Sequence, residues 1–142
     1  MILNKAEEQK LIEKIASIER VTAVEIRIHL CSKSPSSDDM KEAEKVFKKL
    51  GMGRLANHAG ILIYLAEDRH ALVCLGDTAV NEKFGEHFWK EIVDEQILCF
   101  KKGDYFIGLL GALERIEKKS IEFFPAEPDE KKDNLLSDEI SR

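Results

Sequence analysis

No stretch of this 142-residue sequence stays apolar for the ~20 residues that a membrane-spanning helix requires. The opening MILNKAEEQKLIEKI is amphipathic and charged throughout. It has no apolar centre ahead of a small-residue cleavage site, so it does not read as a secretory signal. Cysteine is scarce: Cys31, Cys74 and Cys99 are far apart and form no CxxC pair. An odd number of separated thiols, each in or beside an apolar run, fits buried, reduced side chains in a reducing compartment. The histidines His29, His58, His70 and His87 show neither HxxxH nor HExxH spacing, which removes the common zinc patterns. GxSxG, P-loop and GxGxxG motifs are missing as well. So is a basic patch. The net charge is -5, and in EKVFKK and LERIEKK the lysines and arginines are interleaved with acids as on solvated helix faces. A dedicated nucleic-acid surface needs clustered cations and is not expected. The expectation is a soluble, cytoplasmic, monomeric protein with no membrane span and no nucleic-acid partner.

What is present suits one domain with a real core: 44% of residues are apolar and 35% charged. Leu11, Ile12, Ile15 and Ile18 recur at helical spacing between Asn4 and Arg20, and Asn4 with Glu7 forms an imperfect capping box. From Ala23 to Cys31 the chain alternates. Val24, Ile26, Ile28 and Leu30 point one way and Glu25, Arg27 and His29 the other, the pattern of a half-exposed strand. The loop SKSPSSDDM leads into a helix through Leu50, capped by Asp38 or Asp39, with Met40, Ala43, Val46, Phe47 and Leu50 as its stripe. Gly60–Ala66 and His70–Leu75 are continuous apolar runs. They read as central strands covered on both faces and joined as an antiparallel hairpin by a turn that lacks Gly or Asn. A short helix over Thr78–Gly85 follows. A longer one over Glu86–Phe100 carries Phe88, Trp89, Ile92, Val93, Ile97 and Leu98. A third, capped by Asp104, runs to about Phe123 with Phe106, Leu109, Leu110, Leu113 and Ile116 facing inward. Residues 1–125 therefore form one α/β domain. Residues 126–142 form a charged, mobile tail whose Leu135, Leu136 and Ile140 dock weakly.

The order and spacing of several pieces resemble the TPM domain family, found in thylakoid repair proteins and in many bacterial proteins. TAVEIRI (Thr22–Ile28) is similar to the family's Thr-x-x-Glu-Ile strand, FKKLGM (Phe47–Met52) to its helix end, and GILIYLAEDRHALVCLGD (Gly60–Asp77) to its hairpin with the following Gly-Asp. FWKEI (Phe88–Ile92) matches its tryptophan helix and FKKGDYFIGLLGAL (Phe100–Leu113) its Gly-Asp helix start. FFP and the terminal LSDEIS are closest to a short, anchorless subgroup. The resemblance covers almost the whole chain. It implies a single small mixed sheet of about four strands sandwiched between helices, divalent cation binding in some members, and acid phosphatase activity in the thylakoid branch. The chain departs from the family pattern at Leu55, at Ala59 before Gly60, and at Ala79, all in loops beside the expected site.

Candidate groups follow from residue chemistry. Asp77 comes directly after an apolar strand, so it is either the cap of the next helix or a ligand for Ca2+ or Mg2+, which favour carboxylate and carbonyl oxygens. Glu25 is either a second ligand or the ion-pair partner of Arg27 on the same strand face. Glu82 either completes a cation site or is a solvated helix residue, and Asp104 is either a ligand or a cap. Asp68 suits the hairpin turn. Arg69 could grip a phosphate bidentately or form a surface salt bridge. His70 and His87 read as structural, and Phe88 and Trp89 as core. The functional expectation is a domain that binds Ca2+ or Mg2+ through loop carboxylates with weak phosphatase-like activity. The alternative is a non-enzymatic adaptor that contacts a protein partner through its tail.

Overall fold

The computed structural model describes residues 2–126 and 140–142. In chain order these form α1 (Lys5–Val21), β1 (Glu25–Cys31), α2 (Asp39–Lys49), β2 (Gly60–Ala66), β3 (Ala71–Gly76), α3 (Thr78–Phe84), α4 (Glu86–Lys101), α5 (Tyr105–Phe123) and β4 (Ile140–Ser141). Single 3-10 turns occupy Met52–Arg54 and Glu67–Arg69. The strands make one mixed sheet in the order β3-β2-β1-β4. β1 runs parallel to β2 and β4, and β3 closes the sheet as the antiparallel partner of β2.

Side-chain alternation sorts the strands into two faces. Ile26, Ile28, Ile61, Ile63, Leu72 and Cys74 face the larger core, where α1, α4 and α5 contribute Leu11, Ile15, Ile92, Leu109 and Leu113. Leu62, Tyr64, Ala66 and Val73 face the smaller core under α2, with Ala43, Met52 and Leu55. Helices on both faces explain why β2 is buried along its whole length and reads in sequence as an unbroken apolar run.

Local chemistry sets the helix starts. Asn4 accepts from the Glu7 amide at 2.8 Å and Glu7 returns a bond to the Asn4 amide at 3.0 Å, a complete capping box. Asp38 accepts from the Lys41 amide. Asp104 occupies the N-cap position of α5 without making a side-chain cap bond. Gly85 ends α3 and opens α4 with φ at 85°, a conformation that costs glycine little.

Four expectations are corrected. β1 is buried on both faces instead of half exposed: Glu25 and Arg27 are 6% and 1% exposed. Arg27 forms an ion pair with Glu19 of α1 at 3.1 Å. Met40 and Leu98, counted in helical stripes, lie exposed. Cys31 and Cys99 are half-buried and only Cys74 is fully enclosed, though all three are free thiols. His70 is not a strand residue. It adopts the left-handed conformation that ends the turn before β3. From the tail, Ile140 and Ser141 form a strand; Leu135 and Leu136 lie outside the described residues.

Candidate cation site

At one end of the sheet, β1 and β2 begin and β3 ends. Glu25 pairs in register with Gly60, and the Asp77 amide donates to the Gly60 carbonyl at 2.9 Å. Glu25, Gly60 and Asp77 therefore form one cross-strand row, on the sheet face that α2 covers. Two interstrand spacings put the outer backbones of that row about 10 Å apart. The middle position carries no side chain. A Cβ on Gly60 would stand 3.0 Å from the Met52 carbonyl oxygen and 3.3 Å from Leu55. The glycine thus lets a main-chain oxygen approach between two carboxylate-bearing positions.

Asp77 performs the cap role. It is the N-cap of α3, and its Oδ1 accepts from the Thr78 amide at 2.8 Å. Its Oδ2 lies 3.3 Å from His58 Nδ1. His58 sits at φ 52°, in the left-handed region that non-glycine residues seldom adopt. Two backbone bonds fix that conformation: the His58 amide donates to the Leu55 carbonyl, and its own carbonyl accepts from the Ala79 amide. Asn57 braces the same loop by donating to the Ala23 carbonyl at 2.7 Å and accepting from the Ala59 amide. The loop positions Leu55, Ala59 and Ala79 thus serve as main-chain anchors for His58 and for the ends of β1 and β2.

The remaining candidates lie elsewhere. Glu82 is an exposed residue of α3. Asp104 adjoins Tyr105, whose hydroxyl is 2.8 Å from His70 Nδ1. His70 precedes β3 and Asp77 follows it, so Tyr105 reaches the end of β3 opposite to Asp77. Asp68 and Arg69 belong to that far end too. Asp68 accepts from the Ser34 amide at 3.0 Å and hydroxyl at 2.7 Å, and these bonds hold its carboxyl below the usual range. The Arg69 guanidinium binds Asp39 at 2.9 Å and the Ser37 carbonyl at 3.0 Å. Together they pin the loop before α2. Among the described residues, no group of three or more His, Cys, Asp or Glu side chains converges as a metal cluster.

The sequence reading did not single out His58 or the Met52 carbonyl. His58 meets Asp77 across a separation of 19 residues, and no local spacing encodes that contact.

The chain is similar to the BA42 protein of the psychrophilic bacterium Bizionia argentinensis, at 30% identity and a TM-score of 0.86, over 98% of this chain and 94% of that one. It shares its fold with the N-terminal domain of a P. gingivalis protein (19% identity, TM-score 0.74, 86% and 80% of the two chains). The same holds for the N-terminal domain of a Corynebacterium glutamicum protein (10%, 0.68, 96% and 84%). No curated protein matches. The family model of the TPM domain matches residues 1–119, and with this sheet and helix order the chain belongs to the TPM domain family.

Proposed function

We propose that this domain binds one divalent cation, Ca2+ or Mg2+, at the Glu25–Gly60–Asp77 end of the sheet. The observation that carries the proposal is the side-chain-free position at Gly60, which lets the Met52 carbonyl oxygen approach the cross-strand row that bears Glu25 and Asp77. The donor set fits a hard cation, which takes carboxylate and carbonyl oxygens and keeps waters. Asp77 retains capacity because a carboxylate offers about four lone-pair sites and two contacts are described for it. Glu82, Asp104 and Asp68 are not part of this site.

Two carboxylates make a low-charge site. Affinity scales with the charge of the ligands, so a Kd on the order of 10⁻⁴–10⁻³ M is expected. A bound ion would supply Lewis acidity toward a phosphoryl oxygen or a water. Phosphate-ester hydrolysis is the finer reading, and it requires a substrate oxygen to reach the face where His58 lies exposed beside Asp77.

Titrating Ca2+ and Mg2+ while recording amide spectra tests the proposal. Shifts centred on Glu25, Met52, His58–Gly60 and Asp77 that saturate at millimolar metal, and vanish in Asp77→Asn, are expected. Unmoved amides at this sheet end would remove the cation role. Hydrolysis of a chromogenic phosphomonoester, with and without the ion, separates turnover from binding alone.

A further inference from the structure

The outer edge of β1 is met by two different means. In a parallel ladder both backbone groups of a residue point to the same neighbour. The Glu25 amide donates to the carbonyl of Ala59, the residue before β2. Glu25, Arg27, His29 and Cys31 therefore bond toward β2, and Ile26, Ile28 and Leu30 turn their backbone groups outward. Ile26 is satisfied by side chains: its amide donates to Glu19 Oε2 at 2.8 Å and its carbonyl accepts from Arg27 Nη1 at 2.5 Å. Ile28 is met by the 140–142 segment, with Ile28 opposite Ile140 and His29 opposite Ser141. Leu30 lies just past that register. It lines a cavity of about 470 Å3 together with Ile2, Cys31, Lys33, Glu67 and Arg142.

We propose that this stretch of the β1 edge is a strand-docking groove and that Ile140–Arg142 is its resident, releasable ligand. The groove recognises an extended peptide reading aliphatic, hydroxyl, basic. Each of the three positions has its own receptor. Ile140 packs against the larger core. The Ser141 hydroxyl lies 2.8 Å from His29 Nδ1. Arg142 pairs with Glu8 of α1. Among the described residues the segment pairs at Ile28 and His29, whereas β1 is paired to β2 from Glu25 to Cys31. Glu19 and Arg27 meet Ile26 by side-chain bonds, and among the described residues the segment takes over at Ile28. Release uncovers an edge of the kind to which extended chains add. Because donor and groove belong to one chain, an effective concentration on the order of millimolar keeps even a weak strand in place.

This inference stands apart from the cation reading, which concerns Gly60 and Asp77. Its test is amide hydrogen exchange on the 142-residue chain, beside Ile140→Asp and the milder Glu8→Gln and Ser141→Ala. Exchange at Ile28 and Leu30 is expected to speed up by about tenfold or more in Ile140→Asp, less in the milder variants, while β2 and β3 amides keep their protection. Adding the heptapeptide Leu-Ser-Asp-Glu-Ile-Ser-Arg at millimolar concentration to Ile140→Asp should restore protection at those two amides. Three results would overturn the proposal: unchanged exchange at Ile28 in all three variants, loss of protection across β1, β2 and β3 together, or failure of the peptide to restore it. Concentration-dependent dimerisation of the unsubstituted chain through this segment would likewise overturn the placement within one chain.

Discussion

The two edges of the sheet meet the same problem in different ways. Both present outward amides and carbonyls that would otherwise invite another strand. On the β1 side, Glu19 and Arg27 cap Ile26 and the 140–142 segment pairs with Ile28. On the β3 side, the Asp77–Gly60 bond fixes the alternation, so Leu72, Cys74 and Gly76 turn their backbone amides and carbonyls away from β2. Only Gly76 is described as receiving a side chain: Asn81 donates to its carbonyl at 2.7 Å and accepts from Trp89 Nε1 at 2.9 Å. The rest of that edge lies between Met40 of α2 and Trp89 of α4, beside a cleft of about 410 Å3. One edge is thus closed by charge and chain, the other by helices standing to either side. Charged closure responds to substitution and pH; steric closure responds to volume.

That contrast can be broken most severely at Glu19. Glu19→Ala leaves the Arg27 guanidinium, 1% exposed, without the carboxylate 3.1 Å away and takes the partner from the Ile26 amide. A stability loss of about 2–4 kcal/mol in urea unfolding is expected, because one carboxylate's bonds to a guanidinium and to a backbone amide are lost together. On the opposite edge, Gly76→Ala would set a methyl 2.8 Å from both Trp89 and Val80. Overpacking should cost about 1–3 kcal/mol. Asn81→Ala removes two hydrogen bonds at a solvent-exposed position, and about 1 kcal/mol is expected. If Asn81→Ala proved as damaging as Glu19→Ala, the distinction between the two edges would collapse.

A smaller effect comes from pH. Burial, and then the positive charge of Lys49, lower the affinity of His29 for a proton below its ordinary pKa of 6.5. The folded state therefore favours neutral His29. Stability is full above pH 6.5 and falls as the pH drops from 6.5 toward the lowered value, where the unfolded chain takes up a proton more readily. Urea midpoints at pH 7.5 and 5.5 should differ in this sense, and the difference should shrink in His29→Asn. Smallest of all is the response of Cys74. Burial pushes its thiol up to about 12, so alkylation near neutral pH should be far slower than at Cys31 or Cys99. Rapid labelling of Cys74 would show that the β3 edge opens.

How much of this could be read beforehand depended on whether a feature was local. The unbroken runs of β2 and β3 and the helical stripes of α1 and α5 carry their own periodicity, and those elements formed where expected. Asp77 at the head of α3 was legible for the same reason, since a cap is a contact with the next residue. Glu25 and Arg27 were misjudged as lying on an exposed face because alternation reports polarity, not cover. The carboxylate that meets Arg27 comes from Glu19 of α1, outside the strand. β4 escaped because Ser137 to Ser141 is mostly polar, and a two-residue strand has no period to detect. His58 and the Met52 carbonyl escaped because one depends on a left-handed turn and the other on a backbone oxygen, and neither leaves a residue-type signature.

The ion pair between Arg142 and Glu8 has a topological consequence. It brings Arg142 to the first helix, and Ile2 and Leu3 line the same cavity. Ile2 and Arg142 are therefore neighbours, an arrangement that tolerates joining them and opening the chain elsewhere. A few residues joining them, with new termini opened in the Ser32–Ser37 loop, should yield a permuted protein of the same shape in which the last strand is tethered at both ends.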